Sequence, residues 1–213
     1  MPYSPIADGD LGAIVTSLEM TSRPPLRALP ASDLRLEPWH APHADKYRAL
    51  YRRIGEPWLW FSRLEMDDDT LIATIHDPKV RIWAVVDRRG IEVGILELDF
   101  RTEGACEIAF FGLIPELGGK GHGKWLMAMA LQLGWAEAGV QRMWVHTCTL
   151  DGPTALSFYQ KAGFTAYQRQ LETFVDPRIS GLIPRDAAPH IPIIGMPSVP
   201  QADDTPQSQR SHR

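Results

Sequence analysis

Residues 105–138 read ACEIAFFGLIPELGGKGHGKWLMAMALQLGWAEA, and this stretch decides the fold. The run CEIAFFGLI follows a turn at Thr102 to Gly104 and reads as a strand. Leu126, Met129, Ala130 and Leu133 recur at helical spacing and predict the buried face of a helix running to about Ala138. Between strand and helix lies Leu117-Gly118-Gly119-Lys120-Gly121-His122-Gly123-Lys124. Glycines there let the backbone turn tightly with its N–H groups converging, and the helix adds the positive end of its dipole. Such a loop is an anion cradle, suited to a phosphate or pyrophosphate.

Two common phosphate motifs fit it poorly. The pattern GxxxxGK[ST] runs from Gly118 to Lys124, but Trp125 stands where a hydroxyl should hold Mg²⁺. The loop also follows a hairpin instead of the opening strand of a parallel nucleotide-binding sheet. The dinucleotide pattern GxGxxG fails because Gly119, Gly121 and Gly123 alternate.

Working outward, VRIWAVVD and IEVGILELDF flank Arg88-Arg89-Gly90 and predict a β-hairpin. Further upstream, LGAIVTSLE (11–19) reads as a strand and residues 43–54 as a helix, with Tyr47, Leu50, Tyr51 and Ile54 on one face. Asp67 to Asp69 open a second helix ended by Pro78. Downstream, QRMWVHTCT is a strand, PTALSFYQKA a helix opened by Pro153 and stopped by Gly163, and TAYQRQLETF a last strand. The total is an α+β protein whose later half alternates strand and helix.

Proline marks the edges. Seven of the 18 prolines follow residue 175, which predicts a proline-rich, partly disordered tail over 177–213, with Ile191 to Val199 apolar enough to dock on a surface. The expected organisation is an extension over 1–10, one domain over 11–176 and this tail. Among the 213 residues, 26 acidic against 22 basic side chains give a net charge of −4, which argues against nucleic acid as a partner. Two cysteines without a CxxC pair and seven scattered histidines show no metal spacing. No secretory leader or membrane-long apolar run is visible, so a soluble cytoplasmic protein is expected.

From Ala105 to Tyr167 the sequence resembles the GNAT superfamily of acetyl-CoA-dependent N-acetyltransferases, whose motif [QR]xxGx[GA] lies between a strand and a helix. Gly121 and Gly123 take the two small positions, and Gly118 stands where the family has Gln or Arg. FGLIPELGGKGHG and HTCTLDGPTALSFYQKAGF look like a bacterial branch that also lacks that side chain, and the likeness extends weakly over about 11–175. The resemblance implies a mixed, mostly antiparallel sheet flanked by helices. It also implies a splay between the fourth and fifth of the strands read above, around Gly112, Leu113 and Ile114. The donor cosubstrate is then acetyl-CoA, without a metal. The Leu113 backbone meets the pantetheine arm, and Gly118, Gly119, Lys120, Gly121, His122, Gly123 and Lys124 surround the pyrophosphate. Both lysines also read as plain solvated surface.

Transfer to an amine needs its neutral form, and an amine of pKa ~10.4 is neutral about once in a few thousand at pH 7, a cost of roughly 4.6 kcal/mol. Glu107 is the candidate base by resemblance, and strand alternation groups it with Ala109, Phe111 and Leu113. It also reads as an exposed strand-end carboxylate. Glu97, on a face with Ile91, Val93 and Ile95, is the second candidate, placed at the sheet's wet end or in the cleft as an acceptor contact. Tyr159, in the run AxxFYxxxGF, matches the tyrosine that protonates coenzyme A in the family, and otherwise packs in the core. Gly152 replaces the Asn that usually opens that motif. His146 reads as a cleft-lining acceptor contact and Cys148 as a packed thiol. Trp60, with Trp58 and Phe61, forms either an aromatic box for an amine or a lid on the core. The implied partner is a small-molecule primary amine, with a homodimer left open. The alternative function is a non-catalytic acyl-CoA-binding or partner-binding module; a Mg²⁺-dependent NTPase is a remote third.

Overall fold

Alternation on both sides of the turn at 88–90 builds the hairpin of β3 (Val80–Val86) and β4 (Glu92–Asp99), and β4 pairs antiparallel with β5 (Ala105–Leu113). These strands, β1 (Asp10–Met20), β2 (Arg35–Trp39), β6 (Arg142–Cys148) and β7 (Thr165–Val175) form one sheet in the order β2-β3-β4-β5-β6-β1-β7. Every pairing is antiparallel except β5 with β6. A computed structural model describes residues 3–25 and 27–195. The sequence reading has six of these strands and lacks β2, so its fourth and fifth strands are β5 and β6. β2 is five residues long and includes Pro38, which an edge strand tolerates because its outer ladder is unpaired.

Helices cover both faces. α1 (Ala44–Gly55) buries Tyr47, Leu50, Tyr51 and Ile54, the stripe its spacing predicts. Two short helices follow: α2 (Ser62–Glu65), and α3 (Asp68–Ile75), whose N-cap Asp67 accepts from the Thr70 N–H at 2.7 Å. α4 (His122–Gly134) ends four residues before the expected Ala138. Its deepest residues are Trp125, Leu126, Met127 and Ala130, while Met129 and Leu133 are only partly buried. α5 (Ala155–Ala162) starts after Pro153 and stops at Gly163, which takes the left-handed conformation expected of a helix stop.

From residue 176 to 195 the chain has neither helix nor strand, as its prolines dictate, yet it is folded against the domain. Arg178 is buried, pairs with Asp176 at 2.7 Å, and donates to the carbonyls of Ala187, Ala188 and Ile191. Ile183, Ala187 and Ala188 are buried around it. The Gly9 N–H donates to the Ile194 carbonyl at 3.1 Å, tying this segment to the start of β1. The part of the expected disordered tail from 196 to 213, and with it the end of the apolar stretch Ile191 to Val199, lies outside the described residues.

Candidate active site

β5 and β6 pair only from Ala105 to Glu107 against Arg142 to Trp144, and then they part. The local cause is a bulge. Glu97 faces Phe110 and Leu98 faces Ile108, so Ala109 is an extra residue that bends β5 away. It also flips the alternation, so Glu107 shares its face with Phe110 and Gly112, not with Phe111 and Leu113 as expected. A Cβ on Gly112 would lie 2.6 Å from Ile54 and 3.2 Å from the Trp60 ring, the close approach that its place in a strand suggested.

The gap opens into a cleft of about 1110 Å³, with the glycine loop at one end. Gly119 (φ +73) and Gly121 (φ +87) are left-handed, and a Cβ on either would meet nothing within 4 Å. The Gly118 N–H closes on the Pro115 carbonyl and the Lys124 N–H on that of Gly121. The N–H groups of residues 119–123 donate to no backbone carbonyl among the described residues. That leaves converging donors at the start of a 13-residue helix, the arrangement an anion needs. Leu113, Gly118, Gly119, Gly121, Gly123 and Lys124 line the cleft, whereas Lys120 and His122 do not. The His122 ring turns away to Ser32 Oγ (2.9 Å) and Asp33 (3.7 Å), leaving only its backbone N–H at the loop.

Tyr159 lies in the cleft wall, buried against Phe111, Phe158 and Phe164. Burial first, and Asp151 second, push its phenol above the usual value, so it stays a proton donor. Across the gap Glu107 Oε1 lies 3.4 Å from His146 Nδ1, and both line the cleft. The hydrogen bond to Glu107 raises the His146 pKa against the opposing effect of burial, with Asp151 and Glu172 adding to the rise. Cys148 lines the same wall, but burial and Asp151 raise its thiol, which excludes a ready thiolate beside His146.

Glu97 lies elsewhere, which corrects its expected place at the acceptor. It is fully buried, with Oε1 2.5 Å from Arg63 and Oε2 accepting from the Tyr47 hydroxyl at 2.6 Å. Burial alone would lower the Arg63 pKa, but Glu97 outweighs it and holds the guanidinium charged. This ion pair belongs to the core beneath the cleft.

A strap over residues 58–61 crosses the cleft. Leu59 adopts φ +55, a left-handed turn that costs a non-glycine residue about 1–2 kcal/mol. It is held by backbone bonds from Leu59 to Glu56 and from Trp60 to Gly55. Trp60 Nε1 donates to Asp151 at 3.3 Å, and Asp151 also accepts from Thr147 Oγ1 and the Cys148 N–H. Phe61 stacks on Phe174 of β7, centroids 4.7 Å apart. The strap therefore bridges the two halves of the split sheet. Gly152 lies beside the strap, where a Cβ would be in ordinary van der Waals contact with the Trp58 ring at 3.4 Å.

Among the described residues no group of three metal-ligating side chains gathers, and no helix is long and apolar enough to cross a membrane.

A mixed sheet split at its single parallel pair, with an anion cradle at a helix start in the gap, is the architecture of the acetyltransferase class. The chain belongs to the acetyltransferase (GNAT) family, whose model matches residues 33–164. No curated protein matches it. Among solved structures it resembles a GCN5-related N-acetyltransferase from Sphaerobacter thermophilus, with 16% identity, a TM-score of 0.59, and coverage of 81% of this chain and 52% of that one. It thus spans about half of that protein's length. It also resembles spermidine N-acetyltransferase from Vibrio cholerae in complex with CoA and spermine: 19% identity, TM-score 0.53, coverage 68% and 97%. An aminoglycoside acetyltransferase from an uncultured soil metagenomic sample gives 18% identity, TM-score 0.51, and coverage 64% and 91%. At these identities the likeness shows the fold.

Proposed function

We propose that the chain transfers an acetyl group from acetyl-CoA to the primary amine of a small molecule. The observation that carries this is the cradle of unpaired N–H groups at the start of α4, opening onto the splay. The pyrophosphate sits on residues 119–123 with Lys124 adding charge, and the pantetheine arm runs along Leu113. Within one domain over 11–176, the amine enters under the strap, next to Glu107, His146 and Trp60. Its nitrogen loses a proton to Glu107 and attacks the thioester carbonyl. Collapse of the tetrahedral adduct breaks the C–S bond; Tyr159 gives its proton to the departing thiolate and is reprotonated by the second proton that the nitrogen sheds as the amide forms. The similar spermidine N-acetyltransferase structure in complex with CoA and spermine supports both the donor and the acceptor class.

The test is thiol release from acetyl-CoA with primary amines, followed against pH. Below its raised pKa His146 is charged and holds Glu107 as an ion pair; above it Glu107 is released to take a proton. The acidic limb of kcat/KM is therefore expected above pH 6.5, the ordinary imidazole value. In His146→Gln that limb disappears. Absence of amine-dependent thiol release at any pH would contradict the assignment.

A further inference from the structure

Asp151 lines the cleft, yet no step of the proposed transfer uses it. It follows β6, and its N–H donates to the Cys148 carbonyl at 3.1 Å, closing the turn that leads through Gly152 and Pro153 into α5. Its two carboxylate oxygens divide their work. Oδ2 accepts from Thr147 Oγ1 at 2.6 Å and from the Cys148 N–H at 2.9 Å, which seals the turn. Oδ1 reaches across the gap and accepts from Trp60 Nε1 at 3.3 Å. The turn is complete without that last bond, so Oδ1 serves the strap. All of these donors are neutral, which leaves the carboxylate's charge to act on the cleft. His146 feels it together with Glu107 of β5 and Glu172 of β7; each favours the imidazolium, Glu107 most.

We infer that Asp151 is a positioning residue for acetyl transfer: through Trp60 it latches the strap across the split sheet and so sets the acceptor side of the cleft. This role deepens the proposed function and rests on it. Asp151→Asn separates the latch from the turn. Its single amide oxygen stays with the two donors of β6, and its NH₂ group is left facing the indole N–H, a donor against a donor. The turn survives, while the latch and the charge are lost.

The experiment measures KM for amine and for acetyl-CoA, the pH profile of kcat/KM and a thermal melt in the wild type, Asp151→Asn, Trp60→Phe and the double variant. The amine is whichever of spermidine, kanamycin and 2-phenylethylamine the wild type acetylates fastest. In Asp151→Asn the amine KM is expected to rise about threefold or more, with the acetyl-CoA KM and the melt close to wild type. Its acidic limb moves to lower pH, because one of the charges that favour the imidazolium is gone. Trp60→Phe removes the same hydrogen bond and keeps the charge, so the amine KM rises and the limb stays in place. Added to Trp60→Phe, Asp151→Asn changes the amine KM by less than about twofold, since the bond it would break is already absent. An unmoved amine KM in Asp151→Asn, or independent effects in the double variant, overturns the inference and leaves acetyl transfer standing. A melt far below wild type in Asp151→Asn also overturns it, by making Asp151 a residue of the fold alone. If no amine is turned over although acetyl-CoA binds, the proposed function fails, and this inference with it.

Discussion

Tyr159→Phe is expected to lower kcat for acetyl transfer by about 10²-fold or more while leaving the KM for acetyl-CoA nearly unchanged. The substitution keeps the ring that packs edge-on to Phe111 and Phe164 and removes only the hydroxyl. Burial already keeps that hydroxyl protonated, so its loss removes a proton source instead of altering a charge. For phenol and thiol at their ordinary values of ~10 and ~8.5, the transfer is uphill by about 2 kcal/mol, and the burial of Tyr159 makes it steeper, so the proton passes as the C–S bond breaks and not before. Steady-state thiol release alongside a thermal melt separates chemistry from folding. An unchanged kcat with an unchanged melt would remove Tyr159 from the mechanism.

The second large effect is on stability. Glu97→Leu leaves the Arg63 guanidinium buried without its counter-charge and the Tyr47 hydroxyl without its acceptor. Removing one partner of a buried pair costs about 3–5 kcal/mol. For a domain of this size that lowers Tm by roughly 6–20 °C. Adding Arg63→Met to Glu97→Leu is expected to recover most of the loss, because an apolar pair of similar volume needs no counter-charge. A single variant that melts with the wild type would show that the pair contributes nothing, contrary to its burial.

The same residue shows where a sequence reading stops. In GILELDF the alternation correctly groups Glu97 with an apolar face, but its partner lies 34 residues away in a four-residue helix too short to show any period. The available signal was the carboxylate itself: an acid inside an apolar strand needs a cation, and SRLE supplies one. Strands, hairpin, glycine loop and the helix that follows it were legible because period and glycine punctuation extend over many residues. β2 was not, since five residues containing Pro38 and two charges show no alternation. The bulge at Ala109 was hidden for a different reason. Phe110-Phe111-Gly112 is apolar throughout, so a one-residue slip leaves the pattern unaltered while moving Glu107 to another face. Glu107, His146, Tyr159 and Trp60 do meet at one cleft, whereas His122 contributes only its backbone, because Ser32 and Asp33 take its ring.

The most direct test of the whole account is a calorimetric titration of the protein with acetyl-CoA, run beside Mg²⁺-ATP and repeated on Gly121→Val. A valine at φ +87 is strained and displaces the N–H groups that form the cradle. The expected result is one-site micromolar binding of acetyl-CoA to the wild type, no heat with Mg²⁺-ATP, and at least tenfold weaker acetyl-CoA binding by a folded Gly121→Val. Absence of acetyl-CoA binding by the folded wild-type protein, or equal affinity in the variant, would contradict the cradle as the donor site.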